Sequence, residues 1–297
     1  MKNLFLIANP ASGTGKIKTQ LFNVVNILSS QYRVTVYITG KKGDATREAA
    51  NLDDTFSTIV VCGGDGTLNE VITGLMTNKN SYKLGYIPSG TLNEWSSGLK
   101  ISRDMKKAAL DILFDNTIPL DIGRFSDSYF TYTASFGAFT EASYSAPQDI
   151  KNILGKLAYF LEGIKSLDSI RPIHLKITCD DKKVIEDDFV FGTVSNSISV
   201  GGVVHYKETV VELGDGQFEV LLLRFPKNLN DLNNLLTAII TRDLNKNGVT
   251  FLQAKKVTVE KAEGIAWTLD GECASPKDEI IIENLHKAIT FIVPPKK

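Results

Sequence analysis

Over its first 120 residues the chain alternates short apolar runs with helical patterns, and this alternation narrows the possible folds more than any other feature. Leu4-Phe5-Leu6-Ile7 reads as a buried strand, followed by the loop Asn9-Pro10-Ala11-Ser12-Gly13-Thr14-Gly15. Ile17, Leu21, Val24, Val25 and Leu28 then recur at the spacing that places them on one helix face. The pair of signals returns as strand Val34–Ile38 with a helix over Asp44–Leu52, and as strand Ile59–Cys62 with a helix marked by Leu68, Val71, Ile72, Leu75 and Met76. It returns once more as strand Leu84–Ile87 and a helix capped by Ser102 that buries Ala108, Ala109, Ile112 and Leu113. Short strands apolar on both faces and separated by helices specify an open parallel α/β sheet.

Beyond residue 121 the rhythm becomes β-rich. Phe130–Phe139, His174–Thr178, Phe189–Val194, Phe218–Leu223, Val257–Glu260 and Glu279–Ile282 read as strands, with Asp180–Lys183 as a hairpin turn and helical patterns at 149–168 and 230–243. A length of 297 residues fits two domains at roughly 150 residues each. We therefore expect an α/β domain over 1–121, joined by about 285–297, and a mostly antiparallel β-rich domain over 122–284. The last apolar run, Ile289–Val293, can pair with either one.

Charge removes several function classes. Lys and Arg total 33 against 34 Asp and Glu, a net charge of −1. No basic excess or tract for nucleic acid is present, nor a polybasic membrane patch. Cys62, Cys179 and Cys273 lie far apart, as do His174, His205 and His286, so neither a disulfide framework nor a zinc spacing exists. Leu4–Ala8 is shorter than the roughly 7–15 residues of a signal-peptide core, and no run reaches the roughly 18 apolar residues of a membrane span. A cytoplasmic protein with reduced thiols is expected.

Gly-Thr-Leu-Asn-Glu occurs at 66–70 and again at 90–94, each time after an expected strand and before an expected helix. Thr67 with Glu70, and Thr91 with Glu94, fit capping boxes, so two well-capped helices are one reading. The first copy sits inside Cys62-Gly63-Gly64-Asp65-Gly66-Thr67. Glycines so dense cost backbone entropy, and they make sense where the backbone must approach something closely. Backbone N–H groups at a helix N-terminus, at the carboxyl end of a parallel strand, form a phosphate site. The P-loop spacing fails at Pro10 and Ile17, and the Rossmann pattern fails at Asn69.

Gly-Gly-Asp-Gly-Thr followed by Asn-Glu resembles the nucleotide loop of diacylglycerol, sphingosine and NAD kinases and phosphofructokinases. Asn9-Pro10-Ala11-Ser12-Gly13 and Pro88-Ser89-Gly90-Thr91-Leu92-Asn93-Glu94 narrow the resemblance to the lipid kinases, with Glu94 where the family has Asp and Trp95 just after it. Asp121-Ile122-Gly123, Asp215-Gly216 and Asp270-Gly271-Glu272 follow in the family's order, which is that of a bacterial-type diacylglycerol kinase.

The resemblance implies ATP and Mg²⁺ as cofactors and a lipid hydroxyl as acceptor, met transiently at a membrane surface, with diacylglycerol leading. Asn9, Thr39 and Thr91 would line the nucleotide site, and Asn69 and Glu70 would extend the loop. Gly63, Gly64, Asp65, Gly66 and Thr67 would cradle phosphate, with Asp65 orienting Mg²⁺ or the loop itself. Asp270 and Glu272 align with the family's catalytic carboxylates, Glu272 ahead as base, although Asp-Gly is also a frequent hairpin turn. Asp215, with the carbonyls of Glu212 and Gln217, resembles the loop that holds a structural Mg²⁺, and a plain β-turn is the other reading. The helix at 149–168 would pack on the β-rich domain. A kinase of a soluble compound such as NAD, a non-catalytic nucleotide or lipid sensor, and a homodimer all stay open.

Overall fold

A computed structural model describes residues 1–13, 15–91, 93–137, 171–197, 199–200, 204–205, 212–241, 243–274, 276 and 279–295. The chain divides into two compact units, Met1–Ile122 with His286–Lys297, and Gly123–Leu285. The helix expected at 149–168 lies outside the described residues.

The first unit runs β1 (Lys2–Ala8), α1 (Ile17–Leu28), β2 (Tyr32–Ile38), α2 (Asp44–Ala50), β3 (Phe56–Gly63), α3 (Asp65–Thr77), β4 (Lys83–Pro88), α4 (Glu94–Gly98) and α5 (Met105–Leu113). Its sheet is parallel in the order β2-β1-β3-β4. Leu4, Leu6, Ile7, Ile59, Val60, Val61, Leu84 and Ile87 are fully buried, as strands covered on both faces require. The apolar stripes hold: α1 buries Ile17, Val24 and Leu28, and α5 buries Met105, Ala108, Ala109 and Ile112. The cap of α5 is Asp104, not Ser102. The Asp104 carboxylate accepts from the Lys106 and Lys107 N–H groups, and Ser102 Oγ instead accepts the Asp104 N–H. A carboxylate one residue from the helix satisfies two N-terminal donors that a hydroxyl three residues away cannot reach.

Strands β5 (Thr117–Phe125) and β17 (Ile280–Ile292) carry the chain between the units. The C-terminal end of β17 pairs in parallel with β4, Phe291 opposite Leu84, which places the final apolar run in the first sheet.

The second unit holds β6 (Ser128–Phe130), β7 (Thr133–Gly137), β8 (Ile173–Cys179), β9 (Lys183–Ser195), β10 (Ser199–Val200), β11 (Val204–His205), β12 (Phe218–Arg224), α6 (Leu229–Thr241), β13 (Val249–Ala254), β14 (Lys256–Glu260), β15 (Trp267–Leu269) and β16 (Glu272–Ala274). Its pairings are antiparallel, in the order β16-β15-β7-β9-β8-β14-β17, with β12 and β13 added along β9. Asp180 and Asp181 turn the β8–β9 hairpin at φ 52° and 54°, the left-handed pair that a type I′ turn needs. Trp267, Phe136 and Phe189 anchor the core beneath one sheet face, while α6 covers Phe191, Leu221 and Leu223 through Leu235. Gly123 of the Asp121-Ile122-Gly123 segment has a packing role. A methyl there would lie 2.2 Å from the Phe130 ring.

Candidate active site

The parallel order β2-β1-β3-β4 means that the chain leaves β1 toward one side of the sheet and later continues on the other. Open α/β sheets hold ligands at this switch point, beyond the carboxyl ends of the strands. Asn9 occupies that position. Its N–H bonds the Cys62 carbonyl at 2.9 Å, and its Nδ2 donates to Thr67 Oγ1 at 2.9 Å, so one residue joins the loop after β1 to the end of β3 and the first turn of α3. Its Oδ1 accepts the Ala11 N–H at 3.0 Å, which fixes the amide's orientation. Thr39 ends β2 beside it, with its N–H on the Ala8 carbonyl at 2.9 Å.

Gly64 and Gly90 answer to contact rather than to φ, whereas Gly13 also takes a left-handed φ of 58°. Gly64 has an ordinary extended backbone at φ −93°, yet a methyl on it would sit 3.1 Å from Ser12 Oγ and 3.3 Å from Gly90 Cα. Reciprocally, a methyl on Gly90 would lie 2.7 Å from Gly64 Cα and 2.8 Å from Asn93 Oδ1. A methyl on Gly13 would lie 2.1 Å from the Ser89 carbonyl oxygen. The glycine-rich segment before the first copy of the repeated motif therefore touches the start of the second copy backbone to backbone, with the β1 loop against both. This close approach is what the dense glycines permit, and it brings Asn9, Ser12, Gly63, Gly64, Thr67 and Gly90 into one cluster.

The first capping box does not form. Helix α3 begins at Asp65, so Thr67 is its third residue, and its side chain lies over Gly63 and bonds Asn9 instead of capping. The first intrahelical bond is Leu68 N–H to the Gly64 carbonyl, so the earlier N–H groups have no acceptor within the helix. That end carries partial positive charge suited to phosphate. Asn69 and Glu70 stand in the second turn of α3 rather than in the loop. In the second copy, Thr91 is exposed and precedes α4, whose N-cap is Asn93 at φ 49°. Asn93 clamps Gly90 on both sides: its Oδ1 accepts the Gly90 N–H at 2.9 Å and its Nδ2 donates to the Gly90 carbonyl at 2.6 Å. Trp95 stacks on Phe291 with ring centroids 5.4 Å apart.

Asp270 and Glu272 belong to the second unit and differ sharply. Asp270 and Gly271 turn the β15–β16 hairpin at φ 50° and 86°. The Asp270 Oδ1 accepts the Tyr132 and Thr133 N–H groups at 3.0 Å each, and Oδ2 accepts Thr131 N–H and Oγ1 at 2.7 Å each. This carboxylate nests the 131–133 bend, which is also why the strand expected from Phe130 breaks into β6 and β7. Glu272 opens β16 and is exposed. A general base needs an accessible carboxylate, and Glu272 is the more exposed of the two.

Asp215 lies in the turn before β12, where its Oδ1 accepts the Gln217 N–H at 2.9 Å. Among the described residues no three His, Cys, Asp or Glu side chains converge. One carboxylate with the Glu212 and Gln217 carbonyls is a hard-oxygen donor set, and Mg²⁺ accepts such a set because it retains waters. Four residues beyond Asp215, Glu219 is 1% exposed, with Oε2 unpartnered. Burial pushes its carboxyl up to about 8, and the charge of Asp215 adds to the rise. An orphaned buried carboxylate oxygen beside Asp215 fits a cation at this turn.

The model of the diacylglycerol kinase catalytic domain matches residues 3–125, and that of the YegS C-terminal NAD kinase beta sandwich-like domain matches residues 134–290. A diacylglycerol kinase of Bacillus subtilis (strain 168) is 33% identical over 303 residues, spanning 100% of this chain and 98% of the relative. The chain belongs to the diacylglycerol kinase family. Another member, from Staphylococcus aureus (strain MRSA252), is 30% identical over 277 residues, covering 91% of this chain and 86% of its own. The crystal structure of a diacylglycerol kinase from Bacillus anthracis str. Sterne superposes with a TM-score of 0.78 at 25% identity, covering 99% of this chain and 97% of that one. Membership in this family of lipid kinases accounts for the loop cluster and the Asp-Gly-Glu turn occurring in one chain.

For this diacylglycerol kinase-family chain, sequence reasoning missed Tyr86, Asn93, Thr131 and Glu219. Two of them carry a legible signal: Tyr86 and Glu219 are polar groups inside otherwise apolar strand runs, where each must find a partner. The cysteines are free, and burial pushes the Cys62 thiol to about 12 and the Cys179 thiol to about 11, so both are inert. No helix among the described residues is long and apolar enough to cross a membrane.

Proposed function

We propose that this chain transfers the γ-phosphoryl group of ATP to a lipid hydroxyl, with diacylglycerol as acceptor and phosphatidic acid as product. The observation that carries the reading is the backbone contact of Gly64 with Gly90 at the sheet's switch point, beneath the N-terminus of α3. Such a surface offers N–H groups and a positive dipole end to a triphosphate without side-chain obstruction. Asn9 and Thr67 hold the loops in register, and Thr39 and Thr91 border the nucleotide. Asp65 stands at the helix start, where it would meet a nucleotide-bound cation. Phosphoryl transfer asks mainly for positioning and charge neutralisation, plus an acceptor for the hydroxyl proton. Glu272 takes that proton while Asp270 keeps the hairpin in place. When bound, Mg²⁺ neutralises phosphate charge at the nucleotide, and a second ion at Asp215 with the Glu212 and Gln217 carbonyls would brace the turn before β12.

The lipid is met at the bilayer surface, in transient contact from the cytoplasmic side. A net charge of −1 supplies no bulk attraction, so the contact is local. Exposed Phe22 on α1 and Leu110 and Phe114 on and after α5, close in sequence to Lys18, Lys106 and Lys107, supply an aromatic and basic surface of the right character. The test is incubation with labelled ATP and either diacylglycerol vesicles or NAD. Label in phosphatidic acid supports the reading. Label in NADP alone overturns it in favour of a soluble acceptor, and ATP binding without transfer to any lipid favours a sensor.

A further inference from the structure

The two loops that touch through Gly64 and Gly90 are also joined by a side chain outside the sequence motifs, two residues before the Pro88–Glu94 segment. Tyr86 lies in β4, two residues before Pro88, and is 1% exposed. Its hydroxyl stands 3.3 Å from Asp65 Oδ1, at the first residue of α3, and 3.2 Å from Asn93 Oδ1, the oxygen that already accepts the Gly90 N–H. One phenolic proton thus faces two acceptors, one at the residue before the first copy of the repeated motif and one within the second copy.

Asn93 has its full clamp on Gly90 without Tyr86, so the tyrosine is not needed to keep that loop folded. The ionised oxygen of Asp65 is the stronger acceptor of the two. We propose that Tyr86 is a positioning residue of the nucleotide site, whose hydroxyl fixes the Asp65 carboxylate relative to the Gly90 loop and so sets where a triphosphate and its cation are received. The inference rests on the nucleotide reading given above. A phenylalanine at this position would keep the ring in place and remove the hydrogen bond that the hydroxyl gives to Asp65. The buried phenol does not ionise near neutral pH, because burial, and then the charge of Asp65, push its pKa upward. The proton is therefore permanently available for donation.

Tyr82 provides the control. It opens toward the other end of the same strand region, is similarly buried, and donates to the Leu52 carbonyl at 2.6 Å, remote from both loops in sequence. Mg·ATP binding is measured by titration calorimetry on wild type, Tyr86→Phe, Tyr82→Phe, Asp65→Ala and the Tyr86→Phe/Asp65→Ala double variant, with initial rates over ATP and diacylglycerol. We expect Tyr86→Phe to weaken Mg·ATP binding and raise the KM for ATP roughly ten- to hundredfold, the effect of one hydrogen bond to a charged group, with the KM for the lipid unchanged. Tyr82→Phe lowers the melting temperature and leaves the KM for ATP as in wild type. In the Asp65→Ala background the tyrosine change adds little, because the two act through one contact. Wild-type protein that binds Mg·ATP together with a Tyr86→Phe variant within twofold of it overturns the inference, as does full additivity with Asp65→Ala. Wild-type protein that does not bind Mg·ATP instead removes the nucleotide reading itself.

Discussion

Replacing Asp270 with Asn separates a structural carboxylate from a catalytic one. The native side chain accepts four hydrogen bonds from Thr131, Tyr132 and Thr133. An asparagine oxygen keeps the two N–H donors of Tyr132 and Thr133, but its amide nitrogen then faces the Thr131 N–H, donor against donor. The Thr131 hydroxyl can turn to accept, whereas the N–H cannot. Leaving that donor unpaired costs about 1–3 kcal/mol, and the retained bonds lose the strength an ionic acceptor gives. Asn tolerates the left-handed backbone at φ 50°, so no conformational penalty obscures the effect. The loss is ~2–4 kcal/mol, which for a unit of this size lowers the melting temperature by about 5–15 °C. Glu272→Gln, at an exposed side chain, shifts stability by less than about 0.5 kcal/mol. Removing the proton acceptor slows transfer by about 10²–10⁴-fold. Calorimetric melting and initial rates on both variants make the comparison. An Asp270→Asn protein that melts with wild type, or a Glu272→Gln protein that keeps full turnover, refutes the assignment.

Other expectations follow from the same geometry. Gly90→Ala drives a methyl against Gly64 Cα and Asn93 Oδ1; thermal melting should show a loss of about 1–3 kcal/mol, and ATP affinity should fall. The Glu219 carboxyl is raised in the fold, so its protonated form is favoured: stability is highest below the unfolded pKa near 4.5 and declines as pH rises toward about 8. Glu219→Gln should therefore gain up to ~4 kcal/mol over wild type near pH 8 without added Mg²⁺ and little at pH 4, and equal pH profiles would contradict this. Added Mg²⁺ should raise the melting temperature of wild type at pH 8 but not that of Asp215→Ala. Phe22→Ser with Phe114→Ser should weaken co-sedimentation with diacylglycerol vesicles while leaving Mg·ATP binding intact.

Most of the α/β sheet was legible because each buried strand sits between stripes whose spacing fits a helix and nothing else. Val24 and Leu28, or Ala108 and Ile112, could face only inward. Local caps were harder to read: Thr67 and Glu70 match a capping box in spacing, yet the helix starts three residues earlier than the box requires, and Thr67 is bonded to Asn9, 58 residues away in the chain. The candidate site was half-legible for the same reason. Dense glycines announce a close approach, but that Gly64 approaches Gly90 is a fact of strand order, which no local pattern encodes. The role of Asp270 depends likewise on Thr131–Thr133, more than 130 residues distant.

The central claim is transfer of phosphate from ATP to diacylglycerol, and mass analysis of the lipid fraction tests it most directly. Wild-type protein with Mg·ATP and diacylglycerol vesicles should yield phosphatidic acid at a rate that falls at least a hundredfold in Glu272→Gln. Absence of phosphatidic acid from the wild-type reaction, under conditions where Mg·ATP binding is demonstrated, would contradict the account.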